Sequence, residues 1–167
     1  MIPKTILFCT DFSENSADAR QCAASYSRVF DSSLYVLHVI EVSGVDLLNF
    51  SDTSDVGLPP LATGLPLQLK ADIQEMVREN TSKALEGIRL ELADKAKNVT
   101  TYIREGNPAT EIIRFAEDYS VDLIIIGTHG WTGFKHLIMG STAENVIRKA
   151  RCPVLTVKSS IAYGLLF

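Results

Sequence analysis

Five short apolar runs recur along the chain, each separated from the next by a stretch with helical character. They are Lys4–Thr10 (KTILFCT), Ser33–Ile40 (SLYVLHVI), Val99–Arg104, Asp122–Ile126 (DLIII) and Pro153–Val157. They are apolar rather than alternating, so they read as strands covered on both faces. Between them lie four helical segments. Ser13 offers an N-cap for a helix to about Phe30 that is rich in small residues. From Leu67 to about Lys97 a long helix is predicted, with Ile73, Val77, Leu85, Ile88 and Leu92 at helical spacing. Asn107-Pro108 supplies an N-cap and a first-turn proline for a helix over Ala109–Tyr119, whose Ile112, Ile113 and Ala116 face inward. The fourth helix is Ser141–Lys149. This alternation specifies an α/β fold: three layers, with a doubly wound five-stranded parallel sheet and helices on both faces.

At 167 residues the chain has room for one domain, placed at residues 1–160. The stretch 42–66 breaks the pattern. Its Gly44, Gly57, Gly64, Pro59, Pro60 and Pro66 make it loop. It also carries Leu47, Leu48, Phe50, Leu58, Leu61 and Leu65, too apolar for a solvated linker, so it is expected to fold back over the body or pack against a partner. An apolar tail, 161–167, follows the last strand.

Net charge is -4 and the pI about 5.4, which argues against a nucleic-acid partner. The charge is uneven. Residues 29–69 hold Asp31, Glu41, Asp46, Asp52 and Asp55 with no Lys or Arg, whereas Lys135, Arg148, Lys149, Arg151 and Lys158 outnumber Glu144 after Gly127. An anionic ligand fits the basic end; a solvated helix face fits it equally. No apolar run approaches the ~20 residues of a membrane span, so no membrane partner is expected. The N-terminus lacks the pattern of a signal peptide. Cys9, Cys22 and Cys152 are odd in number and fit no metal-ligand spacing, in keeping with a reducing cytoplasm.

In a parallel sheet ligands bind beyond the carboxyl ends of the strands, at the switch point in strand order. That directs attention to Thr10-Asp11, Val39-Ile40-Glu41, Arg104–Asn107 and the segment from Gly127. There Gly127-Thr128-His129-Gly130 is followed, after nine residues, by Gly140-Ser141. Glycines let the backbone approach a ligand, and a helix starting at Ser141 aims unpaired N–H groups and a positive dipole end at one point. Ser141 and Thr142 add hydroxyls. Ser141-Thr142-Ala143-Glu144 also fits a capping box, and the two roles are compatible. The motif is neither a P-loop nor the G-x-G-x-x-G of dinucleotide sites. The histidines 38, 129 and 136 share no helix face and form no metal set; His38 reads as a strand histidine.

These residues resemble the universal stress protein family, in the nucleotide-binding branch marked by G-x2-G-x9-G-[S/T]. The resemblance extends over Thr10-Asp11-Phe12-Ser13, Leu37-His38-Val39-Ile40, Ile126 to Gly130, Glu144-Asn145-Val146-Ile147 and Cys152-Pro153-Val154-Leu155. It implies a Rossmann-like fold of the adenine nucleotide alpha hydrolase kind, with ATP, alone or with Mg²⁺, in the cleft. Asp11 would accept hydrogen bonds from ribose hydroxyls, or else stand as a solvated strand-end carboxylate or cap the first helix. Val39 would meet adenine through its backbone. Thr10, Ile126 and Gly127 would line base and sugar, and Gly130, Gly140, Ser141 and Thr142 the phosphates, with His129 in the same loop. Trp131 departs from the family, which often has a basic residue there. The strand Val154–Val157 resembles the family's dimerisation edge, so a homodimer is expected.

Two functional classes follow. One is a nucleotide-binding stress-response regulator; the other is a slow ATP hydrolase or nucleotidyl-handling enzyme of the same α/β class. No Ser-His-Asp or Cys-His arrangement and no base for attack on a γ-phosphate is legible, so no catalytic residue is assigned and the regulator ranks first. A phosphoacceptor receiver domain ranks last, because Asp11 stands alone after the first strand.

Overall fold

A computed structural model describes residues 2–41, 67–128 and 139–158. The expectations for the insert 42–66, for His129, Gly130 and Trp131, and for the tail 161–167 lie outside the described residues. Strands β1 (Thr5–Cys9), β2 (Ser33–Ile40), β3 (Lys97–Glu105), β4 (Leu123–Gly127) and β5 (Val154–Val157) form one sheet in the order β3-β2-β1-β4-β5. Every pairing is parallel. The helices are α1 (Ala17–Phe30), α2 (Leu67–Leu92), α3 (Pro108–Asp118) and α4 (Ser141–Lys149).

The inner strands β1 and β4 are apolar because alternate residues enter two different cores. Leu7 and Cys9 of β1, with Ile124 and Ile126 of β4, pack under Ile112, Phe115 and Ala116 of α3 and Ala143 and Val146 of α4. Ile6, Phe8 and Ile125 point the other way, onto Ala19, Ala23 and Ala24 of α1 and Leu85, Ile88 and Leu92 of α2. The alanines of α1 are the small residues seen in the sequence, and they let that helix lie close against the sheet.

The chain builds outward from β1 through β2 to β3, then returns to place β4 on the other side of β1. Parallel crossovers are right-handed. Reversing the direction of travel therefore moves the helices to the opposite face, and β1 and β4 flank the switch point.

Several boundaries differ from the sequence reading. The long helix ends at Leu92, not near Lys97, because residues 93–95 turn, with the Lys95 N–H donating to Leu92 O at 3.0 Å. Lys97 already belongs to β3. Of the predicted stripe, Leu85, Ile88 and Leu92 are buried, whereas Val77 is 38% exposed. In α3 the inward positions are Ile112, Phe115 and Ala116, and Ile113 is only half-buried. Ser13 caps nothing with its side chain: a 3₁₀ turn, Glu14–Ser16, intervenes before α1. Nor does the capping box form. The N-cap of α4 is Gly140, which moves Ser141 into the first helical position, and the Glu144 carboxylate instead pairs with Arg148 at 2.6 Å.

Candidate functional site

A cleft of about 510 Å³ opens where the carboxyl ends of β1, β2 and β4 face the N-terminus of α4. Eight of the predicted binding residues line it: Thr10, Asp11, Val39, Ile126, Gly127, Gly140, Ser141 and Thr142. They come from segments more than a hundred residues apart, brought together by the strand order. Asn107 closes the cleft from the α3 side. Its side chain caps that helix, accepting from the Thr110 N–H at 3.1 Å, as its sequence position predicts. Gly106 before it stands at φ 139, a conformation that favours glycine.

The turn after β1 is heavily cross-linked. The Thr10 N–H extends the sheet ladder to Leu37 O at 3.0 Å. The Thr10 hydroxyl oxygen accepts from the Phe12 N–H at 3.0 Å and lies 3.3 Å from Ser16 Oγ. Asp11 Oδ1 accepts from both the N–H and the hydroxyl of Ser13, at 3.0 and 2.6 Å. The capping alternative for Asp11 thus takes the form of an Asx turn rather than a helix cap, and the same carboxylate lines the cleft. Between these anchors Phe12 sits at φ 62, in the left-handed region.

His38 belongs to this site, a role that the sequence did not reveal. Its Nδ1 lies 2.9 Å from Thr10 O, and its ring stacks on Phe12 with centroids 4.3 Å apart. A carbonyl only accepts, so Nδ1 carries the proton. Burial holds the imidazole below its ordinary value, opposed by the Thr10 hydrogen bond and the Asp11 charge. Its place at the carboxyl end of β2 was the available signal. Cys9 also reaches the cleft, and burial pushes its thiol far up, which leaves it unreactive.

On the opposite wall, the Gly140 N–H donates to Thr128 O at 2.7 Å. Intrahelical bonding in α4 starts with the Glu144 N–H on Gly140 O, so the N–H groups of residues 141–143 have no acceptor within the helix. They lie at the cleft with the positive end of the helix dipole. No Lys or Arg among the described residues lines the cleft. Arg148 pairs with Glu144, and Arg151 with Glu117 at 3.1 Å, both on the surface. Among the described residues the positive character of the cleft comes from the backbone amides at the start of α4. Among the described residues no group of three His, Cys, Asp or Glu is placed to hold a metal, and no helix is long and apolar enough to cross a membrane.

The family model of the universal stress proteins matches residues 3–158. The chain belongs to the universal stress protein family. It is 36% identical over 155 residues to universal stress protein MJ0531 of Methanocaldococcus jannaschii, covering 93% of this chain and 82% of that one. Universal stress protein MJ0577 of the same organism is 34% identical over 158 residues. The solved structure of MJ0577 superposes with a TM-score of 0.79, at 31% identity, over 96% of this chain and 99% of that one. A universal stress protein from Archaeoglobus fulgidus, solved in complex with dAMP, shares the fold with a TM-score of 0.60 at 21% identity, over 95% of this chain and 100% of that one.

Proposed function

We propose that the cleft binds ATP and that this universal stress protein is a dimeric, nucleotide-dependent stress-response regulator rather than a fast catalyst. One observation carries the nucleotide reading. A carboxylate, Asp11, and the N-terminus of α4 face the same cleft from opposite sides of the β1–β4 seam. A nucleoside phosphate is the matching ligand, with hydroxyls to donate to the carboxylate and an anion for the helix amides. The volume of about 510 Å³ lies within the ~300–1,000 Å³ usual for small-molecule sites. Val39 lies beyond the last β1–β2 residue pair, Cys9 with Leu37, where the sheet opens to receive a base. The dAMP complex of the A. fulgidus protein lends support at the level of the fold alone. Mg²⁺ enters only as a companion of the phosphates.

Dimerisation is proposed through β5. Among the described residues it is an edge strand of four half-buried residues, Val154–Val157, and a second copy could pair along its outer side. Light scattering after size exclusion at micromolar protein should give twice the chain mass; a monomer overturns the dimer. For the ligand, mass spectrometry of small molecules released from fresh protein should find an adenine nucleotide. Absence of any nucleotide, together with no heat of binding at millimolar ATP, would sink the reading. Steady phosphate release near ~1 s⁻¹, an ordinary enzymatic rate, would instead favour the catalyst.

A further inference from the structure

We infer that His38 is a positioning residue: its ring braces the turn that carries Asp11, and binding of an adenine nucleoside in the cleft depends on His38 remaining neutral. This rests on the nucleotide reading above and adds a proton-linked control to it.

Phe12 is a bulky residue held at φ 62, which a side chain of its kind adopts only when its surroundings impose it. Two groups impose it here. The Thr10 hydroxyl takes the Phe12 N–H, and His38 grips both arms of the turn, donating to Thr10 O at 2.9 Å while stacking on the Phe12 ring at 4.3 Å. Asp11 lies between those two arms. The direction of its carboxylate is therefore set from β2, across the strand gap, as well as by Ser13.

Charging the ring works against binding in two ways. With Nδ1 already protonated, a second proton goes to Nε2, and the resulting cation sits in a half-buried wall that a ligand would desolvate further. That cation also competes with ligand hydroxyls for the Asp11 carboxylate. Ionisable groups on the surrounding elements include Glu14 on the turn, Asp18 and Arg20 of α1, Glu41 beyond β2, Arg104 of β3, which pairs with Asp118, and Arg78 of α2, which Glu105 of β3 holds at 3.0 Å. Asp11 is the one whose charge acts on the ring. Burial favours the neutral form of the brace. The ligand prefers that form, hence affinity is complete above the imidazole's value and falls as pH drops through it.

Adenosine is the probe, since it lacks phosphates that titrate in this range. Calorimetry at about pH 7.5 and about pH 5.5 should show wild-type affinity several-fold weaker at the lower pH, with about tenfold as the bound for an imidazole of ordinary value. His38→Asn keeps an N–H donor near Thr10 O and cannot titrate there, so its affinity should be the same at both. His38→Leu should bind weakly at both. In ligand-free ¹H–¹⁵N spectra the amides of Asp11, Phe12 and Ser13 should follow the His38 titration in wild type and stay still in His38→Asn. Equal wild-type affinity at the two pH values, static turn amides, or a pH slope retained in His38→Asn each overturns the inference alone. No adenosine binding by wild type at either pH overturns it together with the nucleotide reading.

Discussion

The amide of Gly140 donates to the carbonyl of Thr128 at 2.7 Å, which fixes the start of α4 directly against the end of β4. Thr128 is itself tied to the sheet edge, its N–H donating to Val157 O at 2.9 Å. Two backbone bonds thus tie the helix terminus that would receive an anion to the sheet.

Gly140→Val tests that wall. Glycine is not required there by conformation, since φ is -73°, and a Cβ would stand 3.4 Å from Thr128 O, ordinary contact. The fold should persist by circular dichroism. The valine methyls would occupy cleft space in front of the helix amides, so ATP affinity should fall by about tenfold or more, or ~1.4 kcal/mol. Unchanged affinity in a folded variant removes the phosphate role of this terminus.

Asp11→Asn separates the two duties of that side chain. The amide oxygen still accepts from Ser13 N and Oγ, which preserves the turn. Loss of the charge weakens acceptance from ribose hydroxyls by about 1.5–3 kcal/mol, so calorimetry should find ATP affinity lower by about ten- to a hundredfold, with thermal stability near wild type. A variant as tight as wild type would take Asp11 out of the site.

Ser27→Ala should do the reverse. Fully buried Ser27 donates to Ser32 O at 2.7 Å and accepts from the Lys97 N–H at 3.0 Å, so alanine strands two backbone groups. A cost of about 2 kcal/mol is expected. Differential scanning calorimetry should then show Tm lower by about 4–8 °C, while ATP affinity stays as it was.

Thiol chemistry gives a fourth check. Burial raises all three cysteines, Cys9 most of all, and Cys22 and Cys152 are half-buried whereas Cys9 is buried. Ellman's reagent at pH 8 should modify Cys22 and Cys152 slowly in native protein. The third equivalent, Cys9, should appear only in guanidinium; its prompt modification in native protein would contradict the packed β1.

Where local chemistry and tertiary packing agree, the sequence was sufficient. β2 begins at Ser33 and ends at Ile40 as read, and α4 spans Ser141–Lys149 as read. The start of β3 was not legible, because Lys97 and Asn98 are polar residues on an edge strand, and Asn98 at φ 45 lies in the irregular register there. Ser141 misled in another way. Its spacing to Glu144 fits a capping box, but Gly140 already fills the cap, so the pattern is out of step by one residue. The cleft residues were found through the motif and the strand ends. His38 escaped because a lone histidine in a strand carries no pattern; only the fold of the Thr10–Ser13 turn beneath it gives it a task.

The reversal of strand order at β1 divides the cleft between two sequence halves, one carrying Asp11 and Val39, the other Gly127 and Ser141. Each half contributes only part of the lining. A nucleotide seated as proposed would bridge the seam and act as a clasp between the two halves, so its binding should oppose their separation.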